Sequence, residues 1–98
     1  MDNEQIERIR AMEQALNEAA PAVAQLAAAL EGYKAVLPQL KVLAEYYQSP
    51  LWMQDYDADH AGLLPAQLCR GVLTEDALWD LLGDNARLLE ELKTLAGD

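Results

Sequence analysis

Three aspartates alternate through the middle of the chain, Asp55, Asp57 and Asp59, with His60 and Gly62 close behind. Oxygen ligands at every second position are what a calcium loop offers a hard cation. The pattern is incomplete. His60 stands where the tight-turn glycine belongs, and Ala66 where the bidentate glutamate belongs. If the segment is helical, Asp57 also turns away from Asp55 and Asp59. That leaves Asp55, Asp59 and His60 as weak metal candidates beside the plainer reading of a solvated acidic face. A second set, Asp76, Asp80 and Asp84, is spaced i, i+4, i+8, as in magnesium-binding helices of nucleotide pyrophosphatases. Carboxylates that hold magnesium over a substrate must converge in a cleft. These three fall off the apolar seam of their own helix, and the inner face of the first helix supplies no partners. His60 and Cys69 are the sole histidine and cysteine, and neither has the companions that a catalytic dyad or zinc site requires.

The whole composition points away from polyanions. In 98 residues there are 7 Lys and Arg against 17 Asp and Glu, a formal net charge of −10. Binding DNA or RNA rests on neutralising phosphates with basic side chains, so nucleic acid is not an expected partner. The same field repels an anionic membrane surface. No apolar run reaches the ~18 residues of a membrane span. Met1 leads into Asp2, Glu4 and Glu7 rather than a basic and then apolar stretch, so no secretory signal is read. A lone cysteine suits a reducing compartment. The expectation is a single cytoplasmic domain without a cofactor.

The elements that must position these groups are helices. With Ile9 as heptad position a, the a series reads Ile9, Leu16, Val23, Leu30, Leu37, Ala44. The d series reads Met12, Ala19, Leu26, Tyr33, Leu40, Tyr47. A 3-4 apolar spacing kept in phase marks a helix that lies against other helices along one seam. Asp2 or Asn3 is placed to cap it. Pro21 and Pro38 fall at outward positions f and b, where water can take the carbonyls they release. The spacing predicts one bent helix over about 3–48. The alternative is a compact three-helix bundle with a break near Gly32. Alanines at 19, 20, 22, 24, 27, 28 and 29 favour helix and permit close approach on almost every side.

Ser49-Pro50 opens a short second helix, since Ser is a preferred cap and Pro a preferred first residue. It carries Trp52 and Tyr56 on one face and ends before Gly62. The stretch from Gly62 to Leu73 is too apolar for a solvated linker and is expected to pack as an ordered connection. Thr74 is expected to cap the last helix, over about 75–96, with Glu75 and Asp76 complementing its dipole. Its seam holds Leu78, Leu81, Leu88, Leu92 and Leu95, with Asn85 as the one polar member, read as a register-setting residue.

Over nearly its whole length the chain resembles the uncharacterised bacterial family catalogued as domain of unknown function 4298. The resemblance rests on Tyr46-Tyr47-Gln48-Ser49, Trp52, Asp55-Tyr56, Asp59 and Gly62-Leu63-Leu64-Pro65. It continues through Leu68, Arg70-Gly71-Val72-Leu73-Thr74-Glu75-Asp76, and Leu78-Trp79-Asp80-Leu81-Leu82 with Asn85. The family usually has Ser and Tyr where Thr74 and Trp79 stand, changes that keep a hydroxyl and an aromatic ring. Gly32 and Cys69 lie outside the pattern. The resemblance implies a small soluble bacterial protein and carries no known activity.

Together these readings give an elongated all-α helical hairpin, in which the long helix is covered partly by an antiparallel C-terminal helix and partly by a partner. The expected role is protein interaction or oligomerisation, as a homodimer. Trp52, Asp55, Tyr56, Asp59, Arg70 and Asp76 form the candidate binding patch, aromatic anchors within a polar rim. Arg70 is expected to pair with Asp59 or Asp76 and pin the connection to the last helix. The competing class is a small metal- or nucleotide-dependent enzyme built on the surface aspartates.

Overall fold

A computed structural model describes residues 2–97. In chain order it has α1 (Asn3–Ala35), α2 (Leu37–Gln48), α3 (Pro50–His60), a 3-10 turn (Gly71–Leu73) and α4 (Ala77–Gly97). No strand occurs among the described residues, so the fold is all-α. The chain forms two compact units, one ending at Leu37 and the other beginning at Pro38.

The first unit is α1. Asp2 caps it, its carboxylate accepting the Gln5 N–H at 2.7 Å, which satisfies one of the donors a helix start leaves unpaired. The helix runs unbroken through Pro21 and Gly32. The interruption comes later, at Val36, whose N–H bonds the Tyr33 carbonyl at 3.1 Å. Pro38 explains the place. It has no N–H to give the Lys34 carbonyl, and its ring crowds that carbonyl. Restarting at Leu37 puts Pro38 at the second helical position, where a missing donor costs nothing. The single bent helix expected over 3–48 is therefore two helices, and the break is not at Gly32.

No residue of α1 is buried. In the single chain Ile9, Met12, Leu16, Val23, Leu26 and Leu30 remain between 39% and 66% exposed.

The second unit has a small core. Trp52, Leu73 and Leu78 are 7%, 6% and 3% exposed, and Leu43, Tyr46, Tyr47, Tyr56, Leu64, Val72 and Leu82 pack around them. Ser49 closes α2 and opens α3. Its hydroxyl donates to the Tyr46 carbonyl at 2.7 Å and accepts from the Leu51 N–H at 3.2 Å. α3 ends in a left-handed stop: Gly62 has φ +72, Leu63 N–H bonds the Ala58 carbonyl and Gly62 N–H that of Asp59, both at 3.0 Å. A Cβ at residue 62 would be strained in that conformation.

Thr74 differs from expectation. Its hydroxyl donates to the Gly71 carbonyl at 2.8 Å and closes the 3-10 turn rather than capping α4. The first α4 bond is Asp80 N–H to the Asp76 carbonyl, 2.8 Å. In the connection, Leu64, Val72 and Leu73 pack inward while Leu63 and Leu68 stay exposed.

With three buried residues among those described, each one is a large share of the core. Leu78→Ala should destabilise the second unit by about 2–4 kcal/mol, read as a lower urea midpoint by far-ultraviolet circular dichroism. A change below about 0.5 kcal/mol would mean that Leu78 is not the keystone described here.

Candidate interaction surface

Trp52, Tyr56 and His60 recur every fourth residue of α3, so helical geometry stacks them on one face. The Trp52 and Tyr56 rings lie 5.1 Å apart and nearly parallel, and Tyr56 meets His60 edge-on at 4.4 Å. Tyr47 reaches across from α2 to meet Trp52 edge-on at 5.0 Å. These are the offset and edge geometries that the ring quadrupole favours. Trp52 was expected to be an anchor of a contact patch. It is instead a core residue, its indole N–H donating to the Val72 carbonyl at 3.0 Å.

Two polar contacts frame this row. Tyr46 donates its hydroxyl to the Asp55 carboxylate at 2.5 Å. Burial pushes the Tyr46 phenol up to about 12, and the hydrogen bond and charge of Asp55 push the same way. Arg70 binds Asp59 at 2.7 Å with both side chains about one-third exposed. Of the two partners expected for Arg70, the structure has Asp59, so the connection is tied to α3 and not to α4. Asp76 is exposed and stands apart from this pair.

Asp55 and Asp59 are thus each engaged by a neighbour, while Asp57 is exposed on another face. Among the described residues no three of His, Cys, Asp and Glu converge as a metal site would need. Asp84 approaches Arg87 at 3.8 Å, an exposed pair on the outer surface of α4. An open depression of about 320 Å³ lies between Tyr46, Asp55, Leu64, Leu68, Cys69, Val72 and Leu73. That is the lower end of ligand-site size, and its two facing polar groups, Tyr46 and Asp55, are already bonded to each other.

Beside its charged groups this unit also presents apolar side chains outward. Trp79 is 68% exposed and borders a shallow hollow with Tyr47, Leu82 and Gly83. Leu81, Leu88, Leu89, Leu92 and Leu95 continue as exposed positions along α4, and Asn85 is half-buried among them. Sequence reasoning passed over Trp79 and the Tyr46–Asp55 bond. A Ser-Pro turn that folds α3 back on α2 was the available signal for the bond, because it brings residues nine apart into reach.

The Tyr46 shift has a sign. The neutral phenol is favoured in the fold, so its contribution is intact below pH ~10 and is lost as pH rises toward about 12. Urea midpoints between those values should fall more steeply for the natural chain than for Tyr46→Phe; parallel slopes would contradict the assignment. Arg70→Ala should cost about 1 kcal/mol, against no measurable loss for Arg8→Ala. Equal melting temperatures for the two variants would remove the pin.

No helix among the described residues is long and apolar enough to cross a membrane. No curated protein and no solved structure matches the chain. A family model does match, over residues 9–95, and the chain belongs to that family, described as Domain of unknown function (DUF4298).

Proposed function

We propose that this protein is a non-enzymatic cytoplasmic module that associates with a second copy of itself through the seam of α1. One observation carries the reading. Six apolar residues in 3-4 spacing, Ile9, Met12, Leu16, Val23, Leu26 and Leu30, stand 39–66% exposed along one 33-residue helix. Such a face on a soluble chain marks an interaction site, and the heptad spacing selects another helix as its cover.

The magnitude suits reversible pairing. Burying a Leu or Val outright is worth ~1.5–3 kcal/mol, and roughly half of each is still exposed, leaving about 1 kcal/mol per residue. Two copies of the seam then gain on the order of 10 kcal/mol, against an association cost of ~4–15 kcal/mol. At the low end of that cost the net is about −6 kcal/mol, an affinity of roughly tens of micromolar. The exposed leucines of α4 and Trp79 add apolar surface that a larger assembly could use. The compartment fits the same reading, because a lone exposed Cys69 stays reduced in cytosol.

Multi-angle light scattering at roughly 500 μM, well above that Kd, should approach twice the 10.8 kDa chain mass, moving toward the monomer on dilution. Leu16→Glu with Leu26→Glu should leave a monomer whose Trp52 environment is unchanged. A natural chain that stays monomeric throughout would end the proposal.

A further inference from the structure

Resting on that reading, we infer that the second copy lies antiparallel, crossing near Gln25, with Glu13 of each chain opposite Lys34 of the other. The positions flanking the seam decide the direction. On the e side they are Ile6, Glu13, Ala20, Ala27 and Lys34; on the g side, Arg8, Ala15, Ala22 and Ala29. In an antiparallel pair e faces e and g faces g, whereas in a parallel pair g faces the e five residues on.

Placed antiparallel about residues 24 and 25, Glu13 meets Lys34 twice by symmetry, once at each end. Between the charges, Ala20 faces Ala27 and Ala22 faces Ala29, so the backbones can approach at the crossing. The seam layers become Leu16 on Tyr33, Ala19 on Leu30 and Val23 on Leu26, each small residue opposite a large one, as close packing requires. These three layers fall within α1 (Asn3–Ala35), and Ile9 and Met12 lie outside them. Pro21 points away at f, and its missing N–H does not disturb the seam.

The parallel arrangement is poorer in packing and in charge. It sets Ala19 on Ala19, a hollow layer, and Tyr33 on Tyr33, a crowded one. It offers Arg8 to Glu13 but leaves Lys34 against Ala29, and it gathers both sets of Asp2, Glu4 and Glu7 at one end. Aligned macrodipoles add to that repulsion. Lys34 is available for exchange: its present contact is Glu31 at 3.0 Å, an exposed pair within the helix of the kind that contributes little.

Charge reversal tests the register. Glu13→Lys and Lys34→Glu should each weaken the dimer by about tenfold, since each turns two attractive contacts into like-charge ones. The double variant should return to within about threefold of the natural chain. Circular dichroism of the single variants separates loss of pairing from loss of helix. Direction is read independently from spin labels at Gln14→Cys in a Cys69→Ser background. At ~1.5 Å per residue, antiparallel chains put the labels roughly 30 Å apart, against about 15 Å when parallel. A dimer with the shorter separation, or singles that pair as tightly as the natural chain, overturns the antiparallel register alone. A natural chain that never dimerises overturns the self-association reading beneath it.

Discussion

The indole N–H of Trp52 and the carbonyl of Val72 are twenty residues apart in the chain and 3.0 Å apart in space. Nearly everything ordered in the second unit depends on that meeting. It brings the 3-10 turn against α3, so that Leu73 joins Trp52 in the core with Leu78 from α4. A buried indole without an acceptor would cost about 1–3 kcal/mol, a large part of what so small a core can supply. The aromatic row from Tyr47 to His60 and the Arg70–Asp59 pair add to an arrangement that this bond has already fixed.

The first unit has no such centre. Its helix is held by its own backbone, by the Asp2 cap and by alanine-rich propensity. Helices in proteins owe most of their stability to a packed apolar face, and no residue of α1 is buried. The contrast between the units is the physical basis for assigning association to α1 and internal order to the remainder.

What could be read in the residues was local chemistry. The Ser49-Pro50 helix start and the stop before Gly62 each rest on a few neighbouring atoms and are where the sequence placed them, and of Asp2 and Asn3 it is Asp2 that caps α1. Arg70 was narrowed to two partners, Asp59 and Asp76, and the structure has the first. The misreadings have a common origin in contacts between distant segments. Trp52 looked like a surface anchor because its acceptor, Val72, cannot be inferred from spacing. Thr74 looked like a helix cap until Gly71 supplied a nearer carbonyl. Pro38 signalled a disturbance correctly, but whether a helix bends or restarts depends on how the preceding turn relaxes. The candidate patch was half legible: Asp55 and Asp59 are on the expected helix, yet both are spent on internal bonds.

The two tryptophans give the chain an unplanned optical asymmetry. One indole is sealed in the core, and the other, on Trp79, meets water over most of its surface. The long amino-terminal helix has neither, and Tyr33 is its only aromatic ring. Emission excited at the red edge of indole absorption therefore watches the carboxy-terminal unit alone and is blind to melting of α1, whereas far-ultraviolet ellipticity adds the 33 residues of α1 to the 12, 11 and 21 of α2, α3 and α4. The ordinary spectrum of the unlabelled protein can follow its halves separately.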